Sequence, residues 1–189
     1  NKDNNGIPVS RIETIAEGKV NHEKVGYVPD DADYEEDRLR AGDLLFSNIN
    51  SRDEIGKTAI YIGEKPLYHG MNVLRLRYNP ESFNPFFAYY VYDSPMAQDV
   101  FFRMSKAAVG QSSINQSQME KFYLPRPSRE EQRKIASIFY TFDKSIEQEE
   151  SYKERLQQLK QALMRDLLSG EVRTTDVDID IPQEVAKYA

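Results

Sequence analysis

The chain is expected to fold as an α+β domain, a small mixed sheet with packed helices, followed by one long helix. Three observations carry that expectation. Short runs rich in β-branched and aromatic residues, separated by glycines, fill the first half of the chain. Two helix-start signatures, Asn84-Pro85 and Ser94-Pro95, come next, each pairing a capping side chain with a proline in the first turn, where the missing N–H costs nothing. Finally, neither Pro nor Gly interrupts the chain between Ser128 and Gly170.

Taken in order, residues 7–15 and 27–28 have strand composition, as do the apolar runs 44–46, 58–62 and 73–76, which are bounded by Gly42, Gly56, Gly63 and Gly70. The aromatic segment 86–92 and the segment 96–104, with Val100, Phe101 and Met104 at helical spacing, form a helix pair that packs on the sheet. A polar stretch, 110–118, follows, then a strand-like exit at 122–124 that stops at Pro125 and Pro127. Ser128 and Glu131 form a Ser-x-x-Glu capping pattern that starts the long helix. About 40 residues at ~1.5 Å each make a rod on the order of 60 Å. Its apolar stripe includes Ile135, Phe142, Leu156, Leu159 and Leu163, with a charged interruption at Glu147-Gln-Glu-Glu150. A stripe of that length exceeds what one small domain can cover, so it should pack against a similar helix from a second copy or from another half of the same protein. The tail after Gly170, with Asp176, Asp178 and Asp180, reads as disordered or loosely docked. The expected division is therefore residues 1–125, the α+β domain; 126–170, the helix; and 171–189, an acidic tail.

Composition narrows the chemistry. The 189 residues include no Cys, which excludes disulfides, thiolate metal sites and a Cys nucleophile and suits a reducing cytoplasm. No apolar run approaches the ~18–20 residues of a membrane span, and the first five residues are polar rather than a signal sequence, so a soluble, cytoplasmic protein without a membrane partner is expected. Net charge is -6, which taken alone argues against nucleic acid. The distribution weakens that argument. Residues 1–37 carry 10 acids and 4 bases, six of those acids within 30–37, which reads as a solvated loop. Residues 38–125 carry 8 acids and 10 bases, while the remainder carries 13 acids and 11 bases. The middle is locally basic.

Familiar catalytic arrangements fall short. Pro29-Asp30 could open a metal-dependent nuclease motif, but the acid-x-Lys that should follow it, Glu17-Gly-Lys19, lies upstream. Asn84-Pro85-Phe86-Phe87 lacks the second proline of a base-flipping methyltransferase element, and no Gly-rich phosphate or cofactor loop occurs. His22 and His69, the two imidazoles, read as surface or structural residues. No catalytic residue, metal or cofactor is expected. Two segments instead carry the donor-and-acceptor side chains that base edges require, beside bases suited to phosphate. Asn48, Asn50, Ser51 and Arg52 follow the run 44–46, and Gln111, Ser112 and Ser113 follow Arg103 and Lys106. With Lys57, Arg103 and Lys106 assigned to phosphates, these are the candidate DNA-binding residues. Either segment alone reads equally well as a polar turn, and a protein-interaction scaffold that dimerises through its helix stands as the alternative.

A family pattern adds to this. Gly6-Ile-Pro-Val-Ser-Arg11, Leu39-Arg-Ala-Gly-Asp-Leu-Leu-Phe-Ser47, Ile55-Gly-Lys57, Asn72-Val-Leu-Arg-Leu-Arg77 and Gly110-Gln111 lead to Leu124-Pro-Arg-Pro-Ser-Arg-Glu-Glu-Gln-Arg-Lys-Ile135 and Leu159-Lys-Gln-Ala-Leu-Met-Arg-Asp-Leu-Leu-Ser-Gly170. From about Gly6 to Arg173 the chain resembles one half of the specificity subunit of a type I restriction-modification system: one target recognition domain and one spacer helix. The resemblance implies a non-catalytic subunit that reads one part of a split double-stranded DNA target. Its spacer helix would pair antiparallel with that of a second half or second copy. The helices would set the gap between half-sites and hold methyltransferase (modification) subunits, with the restriction subunit engaged indirectly. The chain departs from the family pattern in having one half only and in lacking the strand-turn region expected before Gly6. It therefore reads as the carboxyl-terminal half or a fragment of a longer subunit, with a half-subunit that dimerises by two-fold symmetry as second choice.

Overall fold

The computed structural model describes residues 6–16, 18–52, 54–108, 111–175 and 177–188, without the side chains of 106–108 and 111. Among these residues ten short strands and five α-helices follow one another: β1 (Ile7–Val9), β2 (Ile15–Ala16), β3 (Lys19–Val20), β4 (Gly26–Val28), β5 (Leu44–Phe46), β6 (Ile49–Asn50), β7 (Thr58–Ile60), β8 (Leu74–Leu76), α1 (Pro85–Asp93), α2 (Pro95–Met104), β9 (Lys106–Ala108), β10 (Gln111–Ser113), α3 (Gln116–Met119), α4 (Arg129–Leu168) and α5 (Gln183–Ala186). The main sheet has the order β2-β3-β7-β5-β8 and is mixed, since β3 and β7 run parallel while the other pairs are antiparallel. A β1-β4 pair and a β6-β10-β9 sheet complete the β structure. The α+β class is as expected.

Period-two alternation explains why the run 44–46 is apolar throughout. Leu44 and Phe46 point to one face of the sheet and pack with Ile60, Ala88, Tyr89, Ala97 and Phe101, so that face is roofed by α1 and α2. Leu45 and Ala59 point to the other, where Ile15, Leu39, Tyr61, Leu67 and Val73 cover them. A strand buried on both faces must be apolar at every position. The helix starts behave as their sequences require: the Asn84 side chain accepts from Phe87 N at 3.1 Å, and Ser94 Oγ from Ala97 N at 3.3 Å.

Two motifs shared with the resembled family have structural roles. Asp43, buried in the turn before β5, accepts from Arg77 Nε at 2.7 Å and Nη2 at 2.6 Å and from the Arg40 amide at 2.7 Å. These hydrogen bonds hold the Arg77 guanidinium above its ordinary pKa, against a smaller opposing effect of burial. Gly42, at φ +94°, lies where a Cβ would sit 2.9 Å from Pro85 Cγ, so the turn closes tightly on the first residue of α1. Replacing Asp43 by Ala should lower unfolding free energy by about 2 kcal/mol, at the low end for a broken ion pair because the freed guanidinium can reach water. Denaturant titration measures it, and a change under 0.5 kcal/mol refutes the clamp.

One expectation needs correction, and two segments gain detail. Residues 122–124 form no strand; Phe122 turns inward onto Tyr92 and Phe101, at ring distances of 5.3 and 4.7 Å, and the following prolines deny the segment ladder donors. The polar stretch 110–118 is not all loop, for it contains β10 and then α3, capped reciprocally by Asn115 and Gln118. Within the tail after Gly170, residues 183–186 form a helical turn, and the described tail side chains are exposed.

The chain divides into two compact units, Asn1–Tyr140 and Thr141–Ala189. In the first, the opening turns of α4 are fixed by Gln132, which is fully buried. Its Oε1 accepts from the Asn84 amide at 2.8 Å, while its Nε2 donates to the carbonyls of Pro127, at 3.0 Å, and Ser82, at 3.3 Å. Tyr90 meets Phe139 and Phe86 meets Tyr140 at ring distances of 5.2 and 5.6 Å. In the second unit, Phe142, Leu156, Leu159 and Leu163 are exposed along α4.

Candidate nucleic-acid interface

Two polar segments that lie some 60 residues apart in the chain become neighbours. β10 pairs antiparallel with β6, setting Ser112 opposite Asn50 and Ser113 opposite Ile49, and β9 adds on the far side with Lys106 opposite Ser113. The ladder continues at Asn48, whose carbonyl accepts from the Ile114 amide at 2.8 Å and whose Nδ2 donates to the Ile114 carbonyl at 3.3 Å. Ile114 is fully buried in the core beneath α1 and α2, which anchors this small sheet to the domain.

Strand alternation then sorts the candidates by face. Asn48, Asn50 and Ser112 lie on the side of Ile114. Ser112 is buried, and its Oγ and the Oδ1 of Asn48 have no hydrogen-bond partner. Asn50 is occupied locally, donating to Ser47 Oγ at 3.0 Å and accepting from the Ser51 amide at 2.8 Å. Ser51 and Ser113 are exposed. Lys106 and Gln111 belong to β9 and β10, but their side chains lie outside the described residues, as do Asp53 and Gly110 altogether.

The loop between β6 and β7 carries the remaining candidates. It is pinned at Ile55, buried in the core, and at Gly56, whose φ of +88° and close approach to Phe101 leave no room for a Cβ. Gln98 Nε2 donates to the Gly56 carbonyl at 3.1 Å and to the Tyr92 carbonyl at 2.8 Å, tying the loop to the corner between α1 and α2. Arg52 leaves this loop exposed, with its guanidinium carbon 4.1 Å from the centre of the Phe102 ring. Lys57 pairs with Glu54, so a phosphate contact by Lys57 would compete with that ion pair. Arg103 is exposed in the last turn of α2. Phe102 and Gln98 escaped sequence reasoning, which took α2 only as a packing element. Their i, i+4 spacing beside a polar loop is the one signal that could have singled them out.

Elsewhere, the imidazoles are structural. His69 Nε2 lies 2.9 Å from the Val73 carbonyl, and the His22 ring is tilted on Tyr61. Burial pushes the phenols of Tyr78 and Tyr92 up, and they share a 2.6 Å hydrogen bond beneath α1. Among the described residues, no three His, Asp or Glu side chains gather as a metal site, and no helix is long and apolar enough to cross a membrane. An apolar cavity of about 460 Å³ opens between α1, α2 and the segment 121–125, with Ile135 and Phe139 of the α4 stripe in its wall.

Comparison with known proteins agrees with this architecture. The putative type I restriction enzyme MjaX specificity subunit of Methanocaldococcus jannaschii is 42% identical over 172 residues, covering 89% of this chain and 40% of that protein. The type I restriction enzyme MjaVIII specificity subunit of the same organism is 26% identical over 181 residues, covering 92% of this chain and 42% of that protein. The chain thus spans about two fifths of the length of these curated relatives. Among solved structures, the HsdS subunit from Thermoanaerobacter tengcongensis superposes with a TM-score of 0.59 at 15% identity, over 92% of this chain and 45% of that one. A chain from a study of complex assembly and conformational transition in the type I R-M system superposes with a TM-score of 0.55 at 20% identity, over 88% of this chain and 39% of that one. At such identities the structural likeness speaks for the fold alone. The family model described as the type I restriction modification DNA specificity domain matches residues 1–159, most of the chain, and the protein belongs to that family.

Proposed function

We propose that this chain reads one half of a bipartite double-stranded DNA target as a non-catalytic recognition half within a type I restriction-modification complex. The observation that carries the reading is the β6-β10 ladder, which joins the two polar segments, with Arg52 following β6 and Arg103 preceding β9 in the chain, both exposed. Ser51, Arg52 and Ser113, with Gln111 on the same ladder, are the residues proposed to reach base edges. Asn48 acts from beneath by bonding across the ladder, Asn50 by holding its own turn and Ser112 by packing under it, and Lys57, Arg103 and Lys106 take phosphates. Net charge is a poor guide for such a subunit, since a local basic patch suffices and partner subunits can supply further phosphate contacts.

Residues 1–125 serve as the recognition domain, 126–170 as the spacer and 171–189 as an acidic tail in this reading. The exposed stripe of α4 supports a pairing role, because an apolar face left in water is the signature of an interface. Its acidic interruption falls midway along α4. An antiparallel mate centred there sets the amino-terminal half of one stripe against the carboxyl-terminal half of the other. That mate is a second copy or another half of a specificity subunit. The paired helices hold the modification subunits, and the restriction subunit joins indirectly.

Selection of bound duplexes from a random library, with the modification subunit present, tests the reading. Enrichment of one short half-site supports it. Recovery of no sequence would instead favour a protein scaffold, the alternative that the net charge of -6 suggests. On the selected site, Arg52→Ala should lower specific affinity by about 10- to 100-fold, the range of one bidentate base contact, with little effect on nonspecific duplex. Equal losses on both would remove Arg52 from base reading.

A further inference from the structure

We infer that Phe102 is a specificity-positioning residue, holding the Arg52 guanidinium at one orientation for a single base pair. The inference rests on the DNA-recognition reading above and adds to it the means by which an exposed arginine is aimed. A free arginine loses considerable rotamer entropy when it docks on a base, and a guanidinium already stacked on a ring has lost part of it beforehand.

The geometry fits that role. The guanidinium carbon lies 4.1 Å from the Phe102 ring centre, the spacing of a stacked cation–π contact, and no described residue accepts a hydrogen bond from Arg52. An arginine seated on a ring through its guanidinium face keeps its edge donors free, the arrangement needed for bidentate contact with the acceptors of a guanine. The backbone that carries the ring is anchored, since the preceding Phe101 is fully buried while Phe102 itself is 42% accessible. Phe101 lies against Phe46, Tyr92 and Phe122 at ring distances of 5.0, 5.7 and 4.7 Å. The Ser105 hydroxyl donates to the Phe102 carbonyl at 2.9 Å, closing the end of α2. One turn earlier, Gln98 holds Gly56 on the other side of the same loop. One helix face thus fixes the loop backbone through Gln98 and the Arg52 side chain through Phe102.

No packing role accounts for an aromatic ring here. Phe101 fills the core, and Phe102 is left partly exposed on the face of α2 that meets Arg52. A leucine would serve helix stability as well or better.

A double-mutant cycle on the full chain tests the proposal, using fluorescence anisotropy with the selected half-site duplex, single-base-pair variants of it and a scrambled duplex. Phe102→Leu should weaken half-site binding about tenfold, flatten discrimination at the one base pair that Arg52→Ala also affects, and leave scrambled-duplex affinity and its salt slope unchanged. Phe102→Tyr, which keeps the ring, should restore discrimination. In the Arg52→Ala background, Phe102→Leu should have no further effect. Full additivity of the two losses, or unchanged discrimination in Phe102→Leu at a melting temperature equal to the parent's, overturns the positioning role while leaving DNA recognition intact. Absence of any preference for the selected duplex by the parent chain overturns the recognition reading and this inference with it.

Discussion

Replacing Leu156 and Leu159 together by Asp should abolish pairing of the long helix. Both side chains are about half exposed along the stripe of α4. Covering what remains exposed of each by a partner helix would contribute about 1 kcal/mol, and an aspartate in its place must be desolvated without a compensating charge. A symmetric pair carries each change twice. The dissociation constant should therefore rise by about three orders of magnitude or more. Sedimentation velocity reads the result directly, alone and with modification subunits present, while circular dichroism should show helix content retained because the new charges are solvated in the unpaired chain. Unchanged sedimentation would mean that the stripe is not an interface. A loss of pairing with DNA selection otherwise intact would separate the ruler from the reader.

The second large effect is expected at Gln132. Gln132→Leu keeps the volume near constant yet strands an Asn84 amide and the Ser82 and Pro127 carbonyls that its carboxamide now satisfies. Each buried polar group left without a partner costs about 1–3 kcal/mol, and partial hydration of the loop at 82–84 relieves some of it. A net loss of about 3 kcal/mol follows, or a melting temperature lower by roughly 6–12 °C for a chain of this size. The loss should be local in origin. Hydrogen exchange should quicken first at the start of α1 and in the opening turn of α4. An equal loss of protection throughout the sheet, or a stability change under 1 kcal/mol, would show that Gln132 does not join these elements.

This clamp also gives physical content to the pattern around Glu131-Gln132 that resembled the specificity family. A glutamine has donors and an acceptor on one flat group, so it alone can serve a cap residue's amide and two carbonyls at once. Leucine, glutamate or lysine there would leave at least one of the three unmet. Within the first unit, the opening turn of α4 is thereby held against the start of α1 by side-chain hydrogen bonds.

Local chemistry made much of the fold legible. Proline after Asn84 and Ser94 marks helix starts because its fixed φ and missing amide suit that position alone. The uninterrupted stretch to Gly170, with its cap and its three- and four-residue apolar steps, reads as helix, and the run 44–46 reads as a short strand, though not as one buried on both faces. Two-residue strands such as β3 and β6 were invisible, for a strand that short has no period to detect and exists only through its partner. The same limit hid the site. Asn48, Asn50, Ser112 and Ser113 were visible as polar residues, but no local rule says that residue 50 faces residue 112, or that alternation turns Ser113 outward and Ser112 in. The sequence by itself determined the class of the domain, the length of the helix and the family. Only tertiary structure decided which polar side chains share a surface, which are spent on holding it together, and that an aromatic ring on α2 lies under Arg52, because those relations depend on contacts between residues distant in the chain.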